Sequence, residues 1–208
     1  MGDLELLELL KNGAKKIGLE LPEGNFDTLI QYLKLLRLWN KTYNLTAITD
    51  AREIVVRHLL DSLAVAPYLC GQLILDFGTG AGLPGIPLAL AFPKRKFILL
   101  DSQHKKTAFV QQVVWQLKIP NVTVVTQRAE NYQPESLSDA IITRATLAAS
   151  EFYPLAKRLV KTGGLAYLMK GKDPQLECAA LPAQIDWEVR RIMVPYLNAE
   201  RHLIEISL

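Results

Sequence analysis

Three glycines that follow a short apolar run mark the part of this chain best suited to bind a ligand. Residues 73–75 are apolar, Asp76 ends the run, and Gly78, Gly80 and Gly82 follow before a second apolar segment begins. This pattern predicts a buried parallel strand, a tight turn and the start of a helix. Glycine lets the backbone come close to a bound group, and the first N–H groups of a helix are free to bind it. The segment is therefore predicted to hold a nucleotide-like cofactor.

Two classes of cofactor fit this turn. Gly80, Gly82 and Gly85 satisfy the G-x-G-x-x-G spacing of dinucleotide-binding folds. Asp76 would repel the pyrophosphate of a dinucleotide but attract a cationic amino group. The Asp-x-Gly-x-Gly-x-Gly pattern resembles motif I of the class I S-adenosylmethionine (SAM) methyltransferases, whose acid faces the methionine end of the cofactor. The pattern favours SAM, with a dinucleotide as the alternative.

Length and composition indicate a globular protein with one domain and an extension. The chain has 208 residues, 50% of them hydrophobic and 22% charged, with a net charge of +3. Its two cysteines, Cys70 and Cys178, lack a C-x-x-C partner, which favours reduced thiols in a cytoplasm. The acidic N-terminus does not resemble an export signal, no apolar run is long enough for a membrane span, and no metal site is predicted.

Residues 1–70 are predicted to form an N-terminal helical extension and residues 71–208 a SAM-binding domain. The periodicity indicates three helices in the extension, one with Leu38 on its apolar face and the last with Asp50 as a possible cap. The last helix places His58, Asp61 and Ser62 on one face. They form either an intrahelical polar pair near the domain junction or a contact with substrate or cofactor.

From residue 73 onward strands and helices alternate, which predicts a parallel sheet covered on both faces. The predicted strands are residues 73–76, 97–101, 122–126, 139–143, 164–169, 187–194 and 202–207, and the helical segments between them are residues 86–92, 105–117 and 152–160. The last two strands are joined by a short connection and should pair antiparallel. The predicted fold is therefore α/β, with the Rossmann-like, seven-stranded and mostly parallel sheet of a class I SAM methyltransferase.

In such a sheet, ligands bind along the edge where the parallel strands end. Asp101 ends the second strand, 23 residues after Gly78, where an acid would meet ribose hydroxyls or would cap a helix. Ala129 and Glu130 follow the third strand, where a backbone N–H and a carboxylate could bind the edge of an adenine. Glu130 could equally be a surface acid.

Basic residues follow the same strand ends. They are Lys105, Lys106, Arg128, Arg144, Lys170, Lys172 and Arg201. Any one of them alone is typical of a solvated surface. Their shared position favours a polyanion such as nucleic acid, because each phosphate contact adds electrostatic affinity.

The end of the fourth strand limits the chemistry. It carries Thr143-Arg144-Ala145 and lacks the Asn- or Asp-Pro-Pro-aromatic segment with which methyltransferases of this fold bind an exocyclic amine. Neither cysteine lies where the covalent cytosine-C5 mechanism needs one. A ring nitrogen with a free lone pair, such as guanine N7, takes a methyl group without an obligatory general base.

A set of motifs spread over residues 30–206 is similar to the bacterial RsmG (GidB) family. They are Asn44-Leu45-Thr46, Arg57-His58-x-x-Asp61-Ser62, the segment from Asp76 to Gly85, Leu99-Leu100-Asp101-Ser102, Arg144-Ala145, Lys170-Gly171 and Glu200-Arg201-His202-Leu203. The resemblance implies a SAM-dependent enzyme that methylates guanine N7 in small-subunit (16S) ribosomal RNA.

The strand-end pattern and the resemblance together identify the candidate site residues. Those expected at the cofactor are Asp76, Gly78, Gly80, Gly82, Leu83, Asp101, Ala129, Glu130 and Arg144. Those expected at RNA are Lys105, Lys106, Arg128, Arg144, Lys170 and Arg201. Arg144 is expected to position the reactants. The implied partner is small-subunit rRNA, free or in a 30S particle, and we expect a cytoplasmic monomer without a membrane partner.

Three alternatives stay open on the sequence alone. They are a methyltransferase for a protein or small molecule, an NAD(P) oxidoreductase, and an RNA-binding assembly factor of this fold without catalytic activity. A basic strand-end edge disfavours the first, SAM binding would exclude the second, and methyl transfer would exclude the third.

Overall fold

A central sheet of seven strands organises the computed structural model, which describes residues 1–144 and 147–208. The strands are β1 (Leu73–Phe77), β2 (Lys96–Asp101), β3 (Val122–Thr126), β4 (Ser138–Thr143), β5 (Val160–Lys170), β6 (Trp187–Arg191) and β7 (His202–Ser207). Their spatial order is β3-β2-β1-β4-β5-β7-β6. The order reverses next to β1, which is the position where open α/β sheets bind ligands.

The strand directions confirm the predicted fold class. Strands β1 to β5 pair parallel, and β7 runs antiparallel between β5 and β6. All seven predicted strands are present. The sixth ends at Arg191 instead of residue 194, and the fifth begins earlier than expected, at Val160.

Helices cover both faces of the sheet. They are α5 (Gly85–Ala91), α6 (His104–Gln116), α7 (Ala149–Leu159) and α8 (Gln175–Cys178). Side chains alternate between the two faces of a strand, so neighbouring residues of β1 enter different cores. Ile74 belongs to the cluster shared with α5 and α6, and Leu75 to the cluster shared with α7. This double coverage explains why β1 is apolar without alternation.

The N-terminal residues form helices, as the periodicity predicts. They are α1 (Asp3–Ile17), α2 (Asn25–Tyr43), α3 (Ala51–Ile54), a π-helical segment (Val55–Leu60) that continues α3, and α4 (Asp61–Leu63). The Asp50 side chain caps α3 by accepting a hydrogen bond from the Glu53 N–H. One expectation is wrong: Leu38 is 59% exposed, because it lies off the helix face on which Leu33 and Leu36 are buried.

The helical extension shares a hydrophobic core with the sheet. Leu10, Leu33 and Leu36 belong to the same buried cluster as Ile74 and Phe97. The division near residue 70 stays a prediction. Among the described residues, no helix combines the length and the hydropathy that a membrane crossing requires.

Candidate active site

The glycine turn, residues 78–85, leaves the end of β1 in a backbone conformation that requires glycine. Gly78, Gly80 and Gly82 have φ angles of 65°, 60° and 89°, in the left-handed region. A Cβ atom on Gly80 would meet only the carbonyl oxygen of Gly78, at 3.9 Å, so the space beside Gly80 is open. A Cβ atom on Gly85 would lie 2.6 Å from the Asp76 carboxylate. The turn is therefore closed toward the core at Gly85 and open at Gly80.

Asp76 closes the turn from inside. Its Oδ2 accepts hydrogen bonds from the Thr79 hydroxyl (2.6 Å) and the Gly85 N–H (2.8 Å), and the residue is fully buried. Burial raises the pKa of Asp76 to about 7, although both hydrogen bonds and the charge of Arg144 act in the opposite direction. The other oxygen, Oδ1, is buried and has no hydrogen-bond partner among the described residues.

Asp101 holds the same turn from the end of β2. Its Oδ2 accepts a hydrogen bond from the Gly80 N–H (3.0 Å), and its Oδ1 accepts one from the Gln103 N–H (2.8 Å). The ammonium group of Lys106 lies 3.7 Å from Oδ2. Asp76 and Asp101, two of the three carboxylates predicted at the cofactor, thus also fix the backbone of the turn. Their predicted contacts with the amino group and the ribose stay predictions.

Tyr32 of α2 is a residue of this site that the sequence analysis missed. Its buried hydroxyl donates a hydrogen bond to the carbonyl of Ala81, inside the glycine turn, at 2.9 Å. Burial raises the pKa of Tyr32, so the hydroxyl stays protonated. The only sequence signal was a polar hydroxyl on the apolar face of a helix.

Arg144 follows β4 and reaches back to the helical extension. Its guanidinium Nη1 lies 3.4 Å from the carbonyl of Arg57, 3.4 Å from His58 Nδ1 and 3.6 Å from Asp61 Oδ2. Thr46 Oγ1 lies 2.8 Å from the other ring nitrogen of His58. Burial, with a further effect of the Arg144 charge, lowers the pKa of His58 to about 4. His58 is therefore neutral at pH 7 and does not repel Arg144.

Asp61 joins two of the predicted RNA-binding residues. It is 4% exposed, and its two oxygens contact Arg144 and Arg201, the latter at 2.7 Å from Nε. The interpretation as a polar pair within one helix is therefore wrong for Asp61. Its partners come from the far end of β4 and the start of β7.

These groups surround a hollow of about 320 Å³, here called the basic cavity. Its lining includes Arg57, His58, Asp61, Arg144, Lys170 and Arg201. Lys170 also forms an ion pair with Glu177 at 2.7 Å and donates a hydrogen bond to the Leu147 carbonyl. The structure thus brings together three of the six residues predicted to contact RNA.

The other predicted residues lie at the ends of β2 and β3. Lys105 and Lys106 are in the first turn of α6. Arg128 is exposed and directly precedes a short 3₁₀ helix that contains Ala129 and Glu130. The Gln127 N–H donates to the Asp101 carbonyl and thereby ties this helix to β2. None of these residues lines the basic cavity. Ala145, of the predicted Arg144-Ala145 motif, lies outside the described residues.

The turn suits the predicted cofactor. The side of the turn next to Gly80 is free, and the buried Asp76 Oδ1 is an acceptor that no described residue satisfies. A ligand with a cationic amino group could use that acceptor, whereas a pyrophosphate could not.

Comparison with known proteins decides the family. The model of the GidB family, described as rRNA small subunit methyltransferase G, matches residues 25–204. The chain belongs to the GidB family. The chain is similar to the ribosomal RNA small subunit methyltransferases G of Chromobacterium violaceum (48% identity, 96% of each chain) and Nitrosococcus oceani (45% identity, 95% of this chain and 93% of the relative).

Membership of the GidB family confirms the function that the sequence resemblance implied. The protein is a SAM-dependent methyltransferase that acts on N7 of a guanine in 16S rRNA. Solved structures agree on the fold. The SAM-bound O-methyltransferase TomG of Streptomyces achromogenes has a TM-score of 0.61 at 12% identity, over 95% of this chain and 96% of its own. A SAM-dependent methyltransferase of Aquifex aeolicus has a TM-score of 0.60 at 20% identity, over 79% of this chain and 97% of its own.

Proposed function

We propose that methyl transfer takes place at the sheet edge between the glycine turn and the basic cavity, with Arg144 as the positioning residue. One observation carries this placement. Thr143 of β4 pairs with Phe77 of β1, and each is the last residue of its strand. Arg144 and Gly78, which follow them directly, therefore leave two neighbouring strands side by side. Arg144 therefore borders the turn, while its guanidinium lines the basic cavity. Cofactor and RNA would meet on its two sides.

The chain's own residues would prepare the reactants and would not need to remove a proton. SAM supplies a methyl group on a positively charged sulfur. Guanine N7 carries a lone pair, so the enzyme has only to align it and tolerate the positive charge that develops on the base. Asp61, with its negative charge held between Arg144 and Arg201, offsets cationic charge in the basic cavity.

The accepted form of RNA follows from where N7 lies. In A-form RNA, N7 faces a deep and narrow major groove that side chains do not enter, so the target guanine must be unpaired or splayed out. An assembling or assembled 30S particle can present such a guanine in a fixed position. We propose that this particle is the preferred substrate and that the enzyme acts on it as a monomer in the cytoplasm, where the rRNA is.

The test compares 30S particles with protein-free rRNA, both from a strain that lacks the gene. Each is incubated with the protein and labelled SAM, and N7-methylguanine is then located by borohydride–aniline cleavage. We expect one new cleavage in an exposed loop, and faster transfer to the particle than to free rRNA. Equal rates would contradict the preference for the particle. No transfer to either form, with SAM binding intact, would contradict the proposed function.

A further inference from the structure

One face of α2 carries basic side chains that the active site does not use. Lys34, Arg37 and Lys41 are spaced by three and four residues, lie on one side of the helix and are exposed. We call these three residues the α2 basic face. They line a hollow of about 380 Å³ together with Leu38, Asn40 and Thr49. The face is concave and cationic, a shape that could receive an anionic chain.

Two of the three cations have no acidic partner in the part of the chain that the structure describes. Lys34 forms an ion pair with Asp3 of α1. Within residues 1–144 and 147–208, neither Arg37 nor Lys41 forms an ion pair with an acidic side chain. Their charges are available to a partner from solution.

The α2 basic face continues the basic cavity. Thr49 lines the hollow on α2, while its neighbour Ile48 lines the basic cavity, so the two hollows lie on either side of one loop. The Asn40 side chain is hydrogen-bonded to both the N–H and the carbonyl of Thr46. Thr46 in turn contacts His58 of the basic cavity. This chain of hydrogen bonds holds the loop in place, and an extended polyanion can cross from one hollow to the next.

We propose that the α2 basic face binds backbone phosphates of the rRNA next to the target guanine. The proposal rests on the proposed function, because it takes RNA to enter at the basic cavity. Phosphate contacts by arginine and lysine give affinity and orientation without base recognition. Arg37 and Lys41 supply the charge for such contacts, and the Asn40 side chain between them is held by its two hydrogen bonds to Thr46. The helical extension thereby anchors the RNA on one side of the reacting base.

The test removes the two free charges in the double variant Arg37→Gln/Lys41→Gln. The matched control is Lys11→Gln/Lys15→Gln, which removes two exposed charges from α1 at positions that line neither hollow. Binding of 30S particles from a strain lacking the gene is measured against salt concentration. We expect Arg37→Gln/Lys41→Gln to reduce the slope of log K against log salt by about 1.4 to 1.8, the value for two lost phosphate contacts. The control should keep the wild-type slope.

Two outcomes would overturn the proposal. One is a wild-type slope for Arg37→Gln/Lys41→Gln. The other is an equal reduction of the slope in both double variants, which would show a general effect of net charge. Thermal unfolding of each variant checks that the fold is kept, and the single variants Arg37→Gln and Lys41→Gln should each give about half the change in slope. Methyl transfer by the wild type is measured alongside. Its absence would count against the proposed function, whereas normal transfer with an unaltered double variant would count against the α2 basic face alone.

Discussion

Asp61 connects two arginines that lie far from it in the sequence. It stands 83 residues before Arg144 and 140 before Arg201, yet one carboxylate contacts both. A buried carboxylate between two guanidinium groups fixes their directions, because leaving either charge unpaired in a partly buried place is costly. The two arginines of the basic cavity are therefore held in place by the protein itself.

Arg144→Ala should abolish methyl transfer while the fold is retained. Arg144 follows the strand beside Gly78 and its guanidinium lines the basic cavity, and its side chain is 27% exposed, so its loss leaves no large void in the core. Transfer to 30S particles and circular dichroism measure the two effects. Full turnover by Arg144→Ala would contradict the assignment.

Asp61→Asn should also lower the rate of methyl transfer to 30S particles, by about tenfold or more, because Arg144 and Arg201 lose their common partner.

Asp76 should give the stability of the cofactor-free protein a distinctive pH dependence. Its pKa is about 7 in the folded protein against an ordinary value of 3.8, so between these values the folded state keeps a proton that the unfolded state has lost. The contribution of Asp76 to the free energy of unfolding is therefore fully present below about pH 4 and is lost as the pH rises to about 7. The Asp76→Asn variant lacks this pH-dependent contribution. Urea unfolding from about pH 4 to 8 should show wild type losing stability relative to Asp76→Asn, and a constant difference would refute the shift.

Helix α2 of the extension also helps to hold the glycine turn. Its Tyr32 hydroxyl holds the Ala81 carbonyl, and the Tyr32 ring packs against Phe109 of α6 with a centroid distance of 6.1 Å. The glycine turn is thus braced by Asp76 from β1, Asp101 from β2 and Tyr32 from α2. Three elements distant in sequence determine the shape of one turn.

Tyr32→Phe should weaken SAM binding several-fold and lower stability by about 1 kcal/mol. The ring still fills its place, but the buried carbonyl of Ala81 loses its hydrogen-bond donor. Tyr43→Phe is the matched control, since Tyr43 lies on the same helix and is half-exposed. Calorimetric titration with SAM measures the affinity. If both variants bind SAM as wild type does, the turn does not depend on α2.

Gly80→Val should abolish SAM binding. A valine at φ 60° is strained, and its side chain would enter the open space beside the turn. Gly85→Ala makes a contrasting variant, because its Cβ would collide with Asp76 and Leu99 and should chiefly lower stability. Calorimetry and thermal unfolding separate the two effects. An unchanged SAM affinity for Gly80→Val would count against this site.

Across the whole molecule, the extension and the sheet depend on one another. Leucines of α1 and α2, among them Leu10 and Leu33, are fully buried in the cluster that also holds Ile74 and Phe97. Removing the extension would expose this apolar surface to water, at about 25 cal/mol for each Å². The same helices carry Tyr32 and the α2 basic face, so stability and the proposed RNA contacts depend on one set of helices.

A fragment of residues 71–208 should not fold into a stable domain by itself. We expect it to bind a hydrophobic dye and to unfold without a cooperative transition, because the uncovered face of its sheet is apolar. Near-UV circular dichroism and a urea titration of the fragment, beside the full chain, provide the measurement. Cooperative unfolding of the fragment would show that residues 1–70 are a dispensable addition.

Short-range rules made much of this protein predictable. Alternation of apolar runs, glycines and caps determines strands, turns and helices, since neighbouring residues interact through local sterics and hydrogen bonds. Because parallel strands end at one edge, the sequence also predicted that Asp76, Asp101 and Arg144 lie there.

Only the tertiary structure decided how those residues are used. The Tyr32 hydroxyl could have met many acceptors, and packing of α2 on the sheet selected the Ala81 carbonyl, 49 residues away. In the same way, packing brought Asp61 to Arg144 and Arg201 and gave Lys170 the partner Glu177. The spacing of a polar residue along a helix does not identify its partner, because the partner depends on which elements pack against that helix.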